Sequence, residues 1–351
     1  MSTKSSSSDI PVCVECGTEE EEISSSKKEC TSCEQKNDNV GASCERINDM
    51  SIDVSGIIST CANCGKEGSE VKNTCNKCKM VKYCNAACKK KHRSKHKKKC
   101  DRRVAELHDE KLFKQPPSQF GDCPICFLRI PTLSSGRTQH CCCGKIICRG
   151  CEYANAKRDP DKQLCAFCRT PGPASDGELV DWEKKRMYTG DAEATLKCGY
   201  YFSQGIYDFP QDYAKALELW HRAAELGHAS AYYNIGVAYY TGNGVEVDKK
   251  KAIHYYELSA MGGDVQARYN LGCMEGKEGN LDRAIKHWLI AVKDGHYLSL
   301  EAIQSLHSQN EFATKEEYTH ALRSYQEYLC EIKSVQRDEA AAASDKKFKY
   351  Y

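Results

Sequence analysis

The sequence predicts a multi-domain chain, with two small metal-stabilised modules followed by an all-α solenoid of helical-hairpin repeats. Three observations carry this expectation. Cysteine accounts for 24 of 351 residues, several times ordinary usage. Of these, 21 lie between Cys13 and Cys168, in a half of the chain broken by Ser, Gly, Pro and charge, where metal must supply what a hydrophobic core does not. From about residue 190 the pattern turns helical and repeats itself. The length fits two or three domains at roughly 100 to 200 residues each.

Composition alone does not separate a disulfide framework from metal ligation; compartment and spacing do. The opening residues, MSTKSSSSDIPVC, hold no apolar signal core, and no run of 18 apolar residues occurs anywhere. The expected setting is therefore cytoplasmic and/or nuclear, not secreted, with no membrane partner. A reducing compartment makes cysteines at short regular spacing zinc ligands rather than disulfides. The formal charge of +2 hides a separation, since residues 1–60 carry 5 Lys or Arg against 12 Asp or Glu while residues 61–103 carry 15 against 3.

Residues 1–60 contain Ser runs and a Glu run, and disorder is expected for much of the segment. Two C-x-x-C pairs lie within it, Cys13 with Cys16 and Cys30 with Cys33, and together they could hold one additional zinc. Linkers are expected at 101–121, which contains Pro116-Pro117, and at 172–189, which begins near PGPASD.

Residues 61–100 contain two further C-x-x-C pairs, Cys61 with Cys64 and Cys75 with Cys78, then Cys84, Cys88, His96 and Cys100. A C-x-x-C pair places two thiolates on one tight turn, and the i, i+4 pairs Cys84 with Cys88 and His96 with Cys100 each fit one face of a helix. Eight such ligands suffice for two tetrahedral Zn²⁺ sites. The segment resembles the MYND zinc finger over its whole length, including Tyr83-Cys84 and the closing H-x-x-x-C. That resemblance implies interleaved ligation, with Cys61, Cys64, Cys84 and Cys88 on one zinc and Cys75, Cys78, His96 and Cys100 on the other. His92 is read as a non-ligand. Such modules bind short proline-containing peptides on a surface where this chain departs from the family, with Lys89 in place of Gln and Arg93 in place of Trp. The basic run Lys89 to Lys99 would suit nucleic acid or nuclear import, but a solvated helix face that offsets thiolate charge is the favoured reading.

Residues 122–171 hold Cys123 and Cys126, then HCCCGKIICRGC, then Cys165 and Cys168. The order resembles an all-cysteine RING cross-brace, with Gly144 after the fourth ligand and Lys145 where an ordinary RING has His. That implies Cys123, Cys126, Cys148 and Cys151 on one zinc, and Cys143, Cys165 and Cys168 with a fourth ligand on another. The C-x-C spacing points to Cys141 as that fourth ligand, related chains with a CCGK motif point to Cys142, and His140 stays open as a substitute. The resemblance also places Ile125 where RING ligases dock an E2 enzyme, and Arg169 where they hydrogen-bond ubiquitin.

Residues 190–330 carry the repeats. Gly199, Gly236 and Gly272 recur at spacings of 37 and 36, followed by Trp220, Tyr256 and Trp288 and by Gly227, Gly263 and Gly295. The third unit is four residues shorter at a single loop, so its helices stay whole. In the second unit the pattern predicts helices over 229–240 and 249–261, the latter stopped by Gly262-Gly263. The units resemble Sel-one-like repeats, relatives of the tetratricopeptide family, which implies a curved surface for peptide or helical segments of partner proteins. Residues 297–330 are expected to form a degenerate capping unit, and the tail 331–351 to fray. The histidines of this half are scattered without ligand spacing and no nucleophile and base arrangement can be read from it, so enzyme activity stays open through the RING resemblance alone. The expected function is a zinc-binding protein-interaction scaffold with two zincs in each small module. The alternatives are a RING-type E3 ligase acting with E2-ubiquitin and, less favoured, a nuclear regulator that binds nucleic acid.

Overall fold

The computed structural model describes residues 59–158, 160, 164–310 and 312–343, which form two compact units, one ending at Leu112 and the other beginning at Phe113. The expected ligands Cys13, Cys16, Cys30 and Cys33 all lie outside the described residues.

In the first unit β1 (Asn73–Thr74) pairs antiparallel with β2 (Lys82–Tyr83), and the 27-residue helix α1 (Ala86–Leu112) follows. So little regular structure leaves a core built largely of sulfur, in which Cys61, Cys75, Cys78 and Cys100 are buried with Val71 and Tyr83. α1 continues past Cys100 to Leu112, so the expected linker 101–121 is helical over its first part. No Gly or Pro interrupts it before Pro116, and Arg103 pairs along the helix with Glu106 and Glu110.

The second unit opens with the RING-like module. β3 (Arg137–Gln139) pairs antiparallel with β4 (Ile146–Cys148), Thr138 standing opposite Ile147, and α2 (Arg149–Arg158) follows directly. Its core is Ile130 and Ile147 with Cys123, Cys148 and Cys151. The expected linker 172–189 is mostly a helix, α3 (Asp176–Tyr188). The Ser175 hydroxyl accepts from the Glu178 N–H, and the Glu178 carboxylate accepts from the Ala174 N–H, a start signal that the surrounding Pro and Gly obscured.

Three helical hairpins come next: α4 (Ala192–Gln204) with α5 (Tyr213–Glu225), α6 (Ala229–Thr241) with α7 (Lys249–Met261), and α8 (Val265–Lys277) with α9 (Leu281–Lys293). Asp191, Asp212, Asp248 and Asp264 cap α4, α5, α7 and α8 with their carboxylates. The periodic glycines and aromatics are contact pairs: a Cβ at Gly199 would lie 2.6 Å from Trp220, and one at Gly236 2.7 Å from Tyr256. Trp288 likewise lies directly over Gly272. Glycine on the first helix of each hairpin thus admits the ring of the second. The degenerate unit is α10 (Tyr297–Asn310) and α11 (Lys315–Ile332). Where fraying was expected, Ser334 caps a further helix, α12 (Val335–Ala342), which packs on α2 and buries Arg337 and Ala340.

The RING-like module rests against several repeats. Arg129 pairs with Asp294 and Glu331, and the Thr132 N–H donates to the Tyr328 hydroxyl at 2.9 Å. On the other side Arg186, at the end of α3, reaches the Cys141 carbonyl at 3.4 Å.

Gly227 and Gly295 both hold a left-handed backbone, φ +91° and +82°, but only Gly295 has a neighbour, the Tyr328 ring, in the space a Cβ would take. Gly295→Ala should therefore cost about 1–3 kcal/mol more than Gly227→Ala, read as a larger fall in the urea midpoint by far-UV circular dichroism.

Candidate metal centres

One local turn builds most of the ligand pairs. The residue after the second cysteine of a C-x-x-C pair takes a left-handed backbone: Gly65 (φ +74°), Lys79 (+58°), Phe127 (+59°) and Arg169 (+59°). Its N–H donates back to the first cysteine's carbonyl, at 2.9 Å for Gly65 to Cys61, 3.0 Å for Lys79 to Cys75, 2.8 Å for Phe127 to Cys123 and 3.2 Å for Arg169 to Cys165. Gly144 makes the same turn after Cys143, donating to the His140 carbonyl at 2.7 Å. The turn aims two sulfurs to one side. Holding a non-glycine residue there costs roughly 1–2 kcal/mol, small beside the ~10–16 kcal/mol a structural zinc can supply.

Side chains distant in sequence complete four clusters among the described residues. They are Cys61, Cys64, Cys84, Cys88; Cys75, Cys78, His96, Cys100; Cys123, Cys126, Cys148, Cys151; and Cys142, Cys143, Cys165, Cys168, the ligand atoms of each lying within 4.8 Å of one another. The additional zinc expected on Cys13, Cys16, Cys30 and Cys33 falls outside the described residues and is not among these clusters. Among the described residues no disulfide links any of the cysteines from Cys61 to Cys330. Sulfur separations are 3.7 Å for Cys64 to Cys84, 3.6 Å for Cys75 to Cys100, 3.7 Å for Cys126 to Cys148 and 3.7 Å for Cys143 to Cys165. Four sulfurs about 2.3 Å from one tetrahedral Zn²⁺ stand about 3.8 Å apart, whereas a disulfide needs about 2 Å. The donor sets therefore fit zinc. His96 offers Nε2, 3.2 Å from the Cys78 sulfur, while His92 is turned away with its Nδ1 3.2 Å from the Tyr83 hydroxyl.

The fourth cluster corrects the expectation of Cys141. Cys142 is the residue that converges, its sulfur 3.4 Å from that of Cys168, and Cys141 points elsewhere, its thiol pushed up by burial and by the Glu183 carboxylate. The turn through Gly144 bonds back to His140, so a histidine and not a cysteine stands first in it, and Cys142, inside the turn, is the residue that joins Cys143 in facing Cys165 and Cys168. His140 is not in the cluster, and its Nε2 lies 3.1 Å from the Glu152 carboxylate.

Comparison with known proteins agrees with this layout. Residues 61–100 match the MYND finger family, and residues 192–228, 229–264 and 265–296 match the Sel1 repeat family. The chain combines a MYND finger with Sel1 repeats. A 97-residue stretch is 33% identical to chitin synthase regulatory factor 3 of Schizosaccharomyces pombe, over 26% of this chain and 10% of that protein. Another of 73 residues is 40% identical to the ERAD-associated E3 ubiquitin-protein ligase component HRD3B of Arabidopsis thaliana, over 20% of this chain and 12% of that protein. The chain thus spans about a tenth of the length of these curated relatives. A solved Sel1 repeat protein from Oxalobacter formigenes aligns with a TM-score of 0.40 and 25% identity, over 56% of this chain and 71% of that one.

Electrostatics prepares one sulfur in each cluster. In the MYND finger, burial works against the Cys61 and Cys75 thiolates, yet backbone N–H groups bring both thiols down to about 6. In the RING-like module hydrogen bonding with Cys148 holds Cys123 near 4, and the Thr170 hydroxyl helps to hold Cys168 near 6. Burial and the neighbouring sulfurs drive others up, Cys84 and Cys151 to about 12 and Cys100 to about 11. Crowded thiolates repel, and a dication is what allows all of them to ionise.

Arg337 bears on the third cluster. It is 1% exposed, has no carboxylate partner in reach among the described residues, and directs Nη2 toward the Cys126 sulfur at 3.8 Å while Nη1 donates to the Ile332 carbonyl at 2.6 Å. A buried guanidinium without a counter-charge is costly, so the sulfurs facing it must carry negative charge. Burial disfavours its charged form, but Cys148 and Cys126 hold its pKa above the ordinary value. Gly150 makes room, since a Cβ there would lie 2.8 Å from the Arg337 backbone nitrogen.

Three outcomes are expected. Cys142→Ser should lower bound zinc by about one ion per chain and Cys141→Ser by none, measured by elemental analysis. Because the raised thiols must release protons to bind metal, zinc affinity should fall by about tenfold or more per pH unit on acidification, followed by chromogenic chelator competition. Arg337→Met should weaken one site by about 10- to 100-fold in the same competition and leave the others unchanged.

Proposed function

We propose that the protein is a zinc-dependent interaction adaptor of a reducing compartment, in which MYND finger, RING-like module and Sel1 solenoid each engage protein partners. The observation that carries this is an apolar patch on the two zinc loops of the RING-like module: Ile125 is 41% exposed, Phe127 78% and Phe167 37%. These side chains are held outward by turns that the metal would stiffen, and exposed aromatics on a rigid frame are what interfaces use as anchors. Support also comes from the relatives, whose names describe a regulatory factor and a component of a larger assembly. On the MYND finger, Lys90, Lys91, Arg93, Lys95 and Lys97 lie exposed along α1 and suit an acidic partner segment. Among the described residues no helix is long and apolar enough to cross a membrane.

A second reading, E3 ubiquitin ligase, is favoured by the exposure of Ile125 and Phe167 together with Arg169, on the loops where the RING resemblance places E2 and ubiquitin contacts. The two readings separate in one assay. The adaptor reading expects no discharge of ubiquitin from a broad panel of charged E2 enzymes. Discharge that Ile125→Ala abolishes would replace it with the ligase reading.

Phe127→Gly tests the patch itself, because glycine accepts φ +59° and the turn is kept. Zinc content should stay unchanged while a subset of captured partners, compared by quantitative affinity purification, falls by about tenfold or more. Identical partner sets would remove the patch from the proposal.

A further inference from the structure

Between α1 and the RING-like module, residues 113–120 (FKQPPSQF) do not cross open solvent; they run along the repeat ends, in the direction opposite to repeat order. Phe113 lies over α9, its ring centroid 4.7 Å from that of His287 and 5.1 Å from the Arg283 guanidinium. His287 is buried, neither ring nitrogen has a hydrogen-bond partner, and it forms a flat neutral platform. The Gln115 Nε2 donates to the Asp294 carboxylate at 3.1 Å, at the end of the third repeat. The Pro117 carbonyl passes the end of the second, where a Cβ on Gly263 would lie 2.7 Å from its oxygen. The Gln119 Nε2 donates to the Ser230 hydroxyl at 2.6 Å, on the first turn of α6, and Ser230 donates in turn to the Asp264 carboxylate at 2.7 Å.

The three equivalent glycines that close the repeats show three different surroundings. Gly295 faces the Tyr328 ring, Gly263 faces the Pro117 backbone, and Gly227 has nothing within 4 Å. The row of repeat ends is thus a track that accepts backbone or ring wherever one is supplied. What holds the segment on it is modest. Among the described residues no backbone hydrogen bond joins residues 113–120 to a repeat; the neutral Gln119–Ser230 bond is worth about 0.5–1.5 kcal/mol net, and the bond from Gln115 to the Asp294 carboxylate about 1.5–3 kcal/mol. Pro116 and Pro117 pre-extend the chain and carry no N–H to satisfy, so little ordering entropy is lost when such a peptide docks and little is gained by any particular copy of it.

We propose that this track is a docking site for an extended partner segment with a leading aromatic, glutamine side chains and paired prolines, and that residues 113–120 occupy it in cis. It rests on the adaptor reading only in supplying a partner. The tether gives the internal segment an effective concentration on the order of millimolar, so a competing segment must be tighter or locally abundant.

The test uses the full chain and a fluorescein-labelled FKQPPSQF peptide in trans. The triple variant Phe113→Ala/Gln115→Ala/Gln119→Ala should bind the peptide about tenfold or more tightly than the wild type does, by anisotropy, since the cis competitor is weakened. Adding Gly263→Val should abolish that gain by filling the track. Equal affinities for wild type and triple variant, with zinc content and far-UV circular dichroism retained, would overturn the proposal and leave the segment a fixed strut. If the triple variant does not fold, the wild type carrying fluorophenylalanine at Phe113 decides: millimolar peptide should shift its fluorine NMR resonance as the ring leaves His287, and an unchanged resonance would overturn it. Partner loss in Phe127→Gly alongside failure here would leave the adaptor reading standing and remove this one.

Discussion

The structure depends first on the convergence of thiolates. Neither small module has the apolar mass to fold by burial alone: the first has two two-residue strands and the second two three-residue strands, and their cores are largely the cysteines themselves. Sulfurs gathered at tetrahedral spacing are repulsive once ionised and poor packing partners in a void. A dication would reverse both terms and so offset the cost of the left-handed turns at Lys79, Phe127 and Arg169.

Arginine then ties metal chemistry to the helical half. Arg337 places a buried positive charge against the third sulfur cluster, and the helix that carries it packs on α2. Arg129 does the same work at the repeat side, where burial opposes its charge and the Glu331 and Asp294 carboxylates hold its pKa up, while its guanidinium lies 5.1 Å from the Tyr328 ring centroid. Arg137 stands over Phe120 at 3.8 Å and points toward the carbonyls of Pro131 and Thr132. A guanidinium suits such joints because it is always charged, flat, and able to bond carbonyl, carboxylate and sulfur at once. The RING-like module and the solenoid are therefore one structural unit, although their sequences read as separate modules.

Much of this was legible in advance because it is local. Cysteine spacing reports turn geometry, and the Gly/aromatic period reports a helix pair repeated with the same close approach, so the predicted 229–240 and 249–261 helices agree with α6 and α7 to within a residue. The misreadings have physical causes. The linker at 101–121 was inferred from the Pro116-Pro117 stop, yet opposite charges at helical spacing extend α1 to Leu112 ahead of it. PGPASD hid the cap on Ser175, and DEAAAA read as a fraying end because nothing in the tail says that Arg337 has a buried sulfur cluster to meet.

By itself the sequence determined which residue types can hold metal, the period at which the hairpins repeat and the two helices of the second hairpin, since those follow from spacing along one chain. It did not decide between Cys141 and Cys142, because C-x-C spacing and the CCGK motif point to different residues and only the folded chain brings one of them to Cys165 and Cys168. Nor did it decide the course of residues 113–120, which carry loop chemistry and no period. Their placement follows from partners more than a hundred residues away, Asp294 and Ser230, and such long-range pairing exists only once the repeats have stacked.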